Sequence, residues 1–241
     1  MNGTLYGVGV GPGASDLLTL RAVNVLRAVD VILAAASPRN DYSAALDTAR
    51  PHLRPDARLL RLEFPMTRDA GVLRAAWLKA AQAAREVLEG GENAAFLTIG
   101  DPLIYSTFGY LLRTLREMAP HLPVEIVPGV TSFQAAAART ATVLCEGGES
   151  LRVLPGINGR ESLAAELGGA DTAVVLKAYR NFPAICEALR ATGRQADSLL
   201  ASRVEQPGED IRRGMDGLGG AGGTPPYMSL ILSRKPTMKP E

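Results

Sequence analysis

Apolar residues in this chain come in short runs separated by longer stretches with helical spacing. Residues 5–10 form an apolar run that stops in a glycine-rich turn. From 17 to 28, apolar residues at 17, 18, 20, 23, 25 and 26 trace one helical face, with Ser15 or Asp16 as the expected N-cap. Residues 31–35 read as a buried strand, 43–53 as a helix and 58–62 as a strand. A long alanine-rich helix over 72–89 ends at Gly90-Gly91, and strand 94–99 and helix 106–118 follow. Strands alternating with helices of this length predict an α/β fold with a mostly parallel sheet covered on both faces. Ala119-Pro120-His121-Leu122-Pro123 interrupts the alternation and is read as a boundary between domains 1–121 and 122–241. Beyond it, strands are expected at 124–127, 150–154, 172–177 and 197–203, and helices at 132–139, 160–167 and 182–192. A glycine tract at 217–223 and a last apolar run at 227–232 suggest a mixed second sheet.

A length of 241 residues suits one large domain or two smaller ones, either able to bury a core without a metal or disulfide staple. The formal net charge is +1 with both signs interspersed, so no basic stripe is present to grip nucleic acid. Cys145 and Cys186 match no metal or redox spacing and are expected to be buried thiols. The histidines, His52 and His121, are too few for a zinc site or a Ser-His-Asp triad and are expected in loops facing solvent. No apolar stretch approaches the roughly 20 residues of a membrane span. With no basic region ahead of the first strand, a cytoplasmic location is expected.

Four segments carry possible chemistry, each where a strand gives way to a turn. In Gly9-Val10-Gly11-Pro12-Gly13 the glycines permit close approach to the backbone, and a helix N-terminus follows. Gly9, Gly11 and Ala14 also fit a dinucleotide fingerprint, but no acidic residue closes the second strand, and Asp30 precedes it. A purely structural turn is the third reading. Gly100-Asp101-Pro102 leads into Leu103-Ile104-Tyr105-Ser106-Thr107, either as a ligand-binding strand end or as a turn opener with a helix cap. Pro128-Gly129-Val130-Thr131-Ser132 repeats the pattern, with Thr131 or Ser132 as cap. Finally, Leu176-Lys177-Ala178-Tyr179-Arg180-Asn181 ends a buried strand in two cations, as solvated surface or as anchors for a polycarboxylate.

In this order and spacing the four segments resemble the tetrapyrrole methylases, over essentially the whole chain. Further segments are similar to one branch, the C-20 methyltransferases of precorrin-2 and cobalt-factor II. They are Glu63-Phe64-Pro65-Met66-Thr67, Tyr105-Ser106-Thr107-Phe108, the stretch from Ser132 to Arg139, Val153-Leu154-Pro155 and the stretch from Leu176 to Asn181. The glycine tract is richer in glycine than that branch leads one to expect, and Ala178 and Tyr179 depart from many relatives.

The resemblance implies two α/β/α domains with the active site in the cleft between them, a homodimer, and S-adenosylmethionine held largely by backbone groups. Carried over, Gly11, Pro12, Gly100, Asp101, Ile104, Thr131, Ser132, Leu176, Gly208 and Tyr227 belong to the S-adenosylmethionine site, and Tyr105 to the substrate side. The implied partner is a tetrapyrrole, precorrin-2 or cobalt-factor II, with the cobalt-containing ring slightly favoured. No protein-bound metal, nucleic acid or membrane is implied. A meso carbon flanked by ring nitrogens brings its own nucleophilicity, so positioning carries the reaction. Asp101 and Glu205 are the candidate bases for the departing proton, and Arg39, Lys177 and Arg180 the candidate carboxylate anchors. Methylation at another ring carbon or of uroporphyrinogen III is the alternative within the family, and a nicotinamide-dependent oxidoreductase the alternative outside it.

Overall fold

A computed structural model describes residues 1–36, 42–156, 159–214 and 223–236. The chain divides into two compact units, Met1–Thr131 and Ser132–Glu241. Each is built around its own five-stranded sheet.

In the first unit the strands are β1 (Leu5–Gly9), β2 (Val31–Ala36), β3 (Arg58–Glu63), β4 (Ala94–Thr98) and β5 (Val124–Val127). All pair in parallel, in the order β3-β2-β4-β1-β5. Side chains alternate between two apolar layers because successive residues of a strand face opposite ways. Leu5, Leu33, Ala94 and Phe96 pack with α3 (Ala70–Glu89) and α4 (Phe108–Met118). Val8, Ile32, Ala95 and Leu97 pack with α1 (Leu20–Ala28) and α2 (Ala44–Ala49). Burial on both faces explains why these strands read as apolar runs rather than as alternation. Each fully buried Leu, Ile or Phe among them stabilises by about 1.5–3 kcal/mol.

Helix α1 starts later than its sequence suggests. Ser15–Leu17 forms a separate short 3-10 turn, and the cap is Thr19, whose side chain accepts from Ala22 N at 3.1 Å. Leu20, counted on the apolar face, is 85% exposed, and Ala22 and Leu26 hold the buried positions. Asp69 caps α3 by accepting from Gly71 N and Val72 N. The Ala119–Pro123 break, read as a boundary, precedes β5, and β5 completes the first sheet by pairing with β1.

The second unit holds α5 (Ser132–Thr140), β6 (Leu151–Pro155), α6 (Arg160–Gly168), β7 (Thr172–Leu176), α7 (Phe182–Ala191), β8 (Ser198–Ser202), β9 (Asp210–Arg213) and β10 (Ser229–Arg234). The sheet order is β6-β7-β10-β8-β9, and it is mixed: β6 and β7 are parallel, while β10 runs antiparallel to both β7 and β8. Ala173, Val175, Leu200 and Ile231 form the layer under α6 and α7, and Val174, Leu199, Ala201 and Leu230 the layer under α5. Arg194 is fully buried, and among the described residues it makes no ion pair with a carboxylate. Its guanidinium donates instead to the carbonyls of Ala170, Asp171 and Ser233, which satisfies a charge that would otherwise be costly to bury. Cys186 is buried as expected, whereas Cys145 is exposed. His121 is exposed, but His52 is only half so and meets Ser15 O at 2.9 Å.

Candidate functional site

The turns after β4, β1 and β5 lie side by side, because those strands are neighbours with parallel directions. They are fastened together. Gly100 N donates to Gly11 O at 2.8 Å, making an isolated bridge between the first two turns. Asp101 braces the rest: its Oδ1 accepts from Leu103 N at 2.9 Å, and its Oδ2 reaches past β1 to accept from Gly129 N at 3.1 Å. A Cβ at Gly9 would stand 2.7 Å from Gly129 Cα, so the strand ends touch backbone to backbone. Gly100 has φ +74° and an open flank, where an added Cβ would meet only Thr131 Cα at 3.9 Å. A ligand therefore has access to bare backbone there. Thr131 and Pro12 are buried beside these turns.

Leu103, Ile104 and Tyr105 then stand exposed in succession, at 60%, 39% and 47%. Tyr105 adopts φ +49°, a conformation that costs about 1–3 kcal/mol for a non-glycine residue and persists where the surroundings demand it. Ser106 secures the way into α4, meeting Thr98 Oγ1 at 2.8 Å and accepting from Phe108 N at 3.1 Å.

The second unit gathers its candidates on one sheet edge. Because β10 is antiparallel to its neighbours, its first residue lies beside the last residues of β7 and β8, with Leu230 opposite Leu176 and Ser229 opposite Ser202. Lys177, Arg203, Glu205 and Met228, just outside these strand ends, all have positive φ. Four such residues on one edge mark it as a place shaped by more than packing. Arg180 Nε donates to Tyr179 Oη at 3.0 Å, and the Tyr179 ring meets Tyr227 edge-on at 5.3 Å. The protein around the Lys177 ammonium lowers its pKa, and the neighbouring Arg180 charge lowers it further. Burial pushes the Tyr227 phenol up, Tyr179 adds to this and Arg180 opposes it. Glu205 lies 3.8 Å from Arg139, which is held by Glu209 at 2.9 Å.

Of the residues expected from sequence, Gly11, Pro12, Gly100, Asp101, Ile104, Tyr105 and Thr131 thus share one strand-end edge of the first unit. Leu176, Lys177, Arg180, Glu205, Gly208 and Tyr227 lie at one edge of the second, and Ser132 is the first residue of α5. Arg39 and residues 217–222 of the glycine tract lie outside the described residues. Arg203 and Met228 were not singled out, since a strand end and a turn look ordinary in sequence. The dinucleotide reading requires β1 beside β2. Here β4 lies between them, and Asp30 sits at the far end of β2, where it accepts from Asn93 N at 2.9 Å.

Residues 4–215 match the model of the Tetrapyrrole (Corrin/Porphyrin) Methylases. This chain belongs to that family. It is 35% identical to a cobalt-precorrin-2 C(20)-methyltransferase of Salmonella typhimurium over 98% of each chain. It is 33% identical to a precorrin-2 C(20)-methyltransferase of Sinorhizobium over 95% of this chain and 94% of the other. Among solved structures, a uroporphyrin-III C-methyltransferase of Thermus thermophilus complexed with S-adenosyl homocysteine superposes with a TM-score of 0.66 at 25% identity, covering 95% of this chain and 97% of that one. The parallel first sheet and mixed second sheet are those of a tetrapyrrole methylase, and the chain is a methyltransferase of that family.

Proposed function

We propose that this methyltransferase moves a methyl group from S-adenosylmethionine to C-20 of precorrin-2 or cobalt-factor II during cobalamin biosynthesis, acting as a cytoplasmic homodimer. The supporting observation is near full-length similarity to relatives named for that position. The cobalt-containing ring is the first choice of substrate, since the relative named for it is 35% identical against 33% for the other.

The first-unit edge suits S-adenosylmethionine, which supplies a methyl group already activated on sulfur. Bare backbone at Gly100, the adjoining Gly11 and Pro12, exposed Ile104 and buried Thr131 are fit to hold a ligand through main-chain and apolar contact. Ser132, Leu176, Gly208 and Tyr227 complete the proposed set. Asp101 has both oxygens occupied by backbone N–H groups, which suits it to hold the turns in place rather than to take a proton. Of the two candidate bases, Glu205 then remains for the meso proton, with its carboxylate 3.8 Å from Arg139. Lys177 and Arg180, both exposed, are suited to hold substrate carboxylates, and Tyr105 to face the ring.

The test is methylation of a panel of precorrin-2, cobalt-factor II and uroporphyrinogen III, with the new methyl located by NMR. One methyl at C-20 is expected. A methyl at another carbon, or product from uroporphyrinogen III alone, would overturn the assignment.

A further inference from the structure

We propose that Arg203 is a third carboxylate anchor on the second-unit edge, and so a specificity-determining residue; this rests on the tetrapyrrole reading above. Arg203 is the first residue past β8 and is held from both sides. Its N–H donates to Met228 O at 3.0 Å, and its carbonyl accepts from Gln206 N at 2.9 Å. With φ +50° its backbone is in the left-handed region, where an arginine has no intrinsic reason to be. The side chain is exposed and directed over Gly208, with Nη1 only 3.2 Å from where a Cβ would stand. A glycine at 208 thus makes room for the guanidinium.

Four other arginines of this unit are matched to acids: Arg139 to Glu209, Arg152 to Glu166, Arg212 to Asp210 and Arg234 to Glu149. Among the described residues, the Arg203 guanidinium has no hydrogen-bond or ion-pair partner. Nor are the acids of its own loop at its disposal. Glu209 accepts from Glu205 N at 2.8 Å and pairs with Arg139, and Glu205 faces Arg139 as well. A planar fork of five donors is left open at an edge that already presents Lys177 and Arg180.

The spacing indicates the kind of anion. Lys177 and Arg203 flank the start of β10, with one strand between the ends of β7 and β8. Strands lie about 4.8 Å apart, so the two backbones are separated by about 10 Å. That is too wide for one carboxylate and fits two arms of a single broad ligand. Arginine's bidentate geometry suits an acetate or propionate arm better than an ammonium does.

Arg203→Gln should raise the substrate KM by about 10- to 100-fold, the range for losing a hydrogen bond to a charged group. It should leave kcat, S-adenosylhomocysteine affinity and melting temperature nearly unchanged, with Arg203→Lys falling in between. An unchanged KM, or a loss of S-adenosylhomocysteine affinity instead, would refute the anchor. Should the wild type methylate no tetrapyrrole, the functional reading fails, and the anchor is then judged by binding alone, with uroporphyrin and its methyl ester as probes. Weaker uroporphyrin binding by Arg203→Gln, with the ester bound equally by both proteins, upholds it; equal uroporphyrin binding, or none by the wild type, overturns it.

Discussion

Lys177 sits at a strand end in a left-handed turn, where its ammonium is crowded by protein and repelled by Arg180. Both effects favour the neutral amine, so its proton leaves below the ordinary lysine value of 10.5. Loss of that proton removes a positive charge. The substrate KM is therefore expected to climb on the alkaline side, before a free lysine would titrate. Lys177→Arg, which stays charged, should flatten the profile; an identical climb in the variant would show that another group is responsible. Sequence reading reached Lys177 and Arg180 because cations after a run such as Thr172–Leu176 have no packing role. It also reached Asp101, as part of the S-adenosylmethionine site and as a candidate base, but not as a brace between turns, since a carboxylate's partners depend on which turns the fold brings beside it. Gly129 N is 28 positions away in sequence. Arg203 escaped for the same reason: its left-handed backbone and its place beside the start of β10 follow from the fold alone.

Most elements were legible, because strands buried on both faces and helices with one apolar face leave clear periods. Strand β9 was not. Its four residues, Asp-Ile-Arg-Arg, are mostly charged and lie on a sheet edge, where one side needs no apolar partner. The start of α1 was misplaced because Ser15, Asp16 and Thr19 are all good caps, and only the 3-10 turn in between decides among them. Asp30 ties two elements together at the start of β2, accepting from Asn93 N ahead of β4 and pairing with Arg54 at 3.2 Å. The Asn93 N–H, then Arg54, lower its pKa against the opposing effect of burial. A lowered folded-state value means that the stabilisation is present above the unfolded value near 3.8 and fades as pH falls through the folded one. Asp30→Asn should therefore melt below the wild type at pH 7, and the gap should narrow as the pH falls below 3.8. A gap that is constant with pH would assign the effect to packing.

The alternation of strands and helices announced an α/β molecule, but strand order did not follow from it, because nothing in β1 or β2 says that β4 will lie between them. That order separates this molecule from a nicotinamide-binding one, and ligand-linked stability can read the difference. S-adenosylhomocysteine at a hundredfold excess over its Kd should add about 2.7 kcal/mol of stability. For a chain of this size that raises the melting temperature by about 5–10 °C. NAD should cause no shift, and the reverse pattern would refute the assignment.

The central strand of the second sheet, β10, is made after every other strand of that sheet, and it lies between β7 and β8. The ribosome therefore releases β7 and β8 before the strand that joins them exists. The first unit can close on itself as soon as residue 131 has emerged. The second must wait with two apolar strands unjoined until Ser229–Arg234 arrives, so a nascent chain halted ahead of that segment has one finished half and one that chaperones must shield.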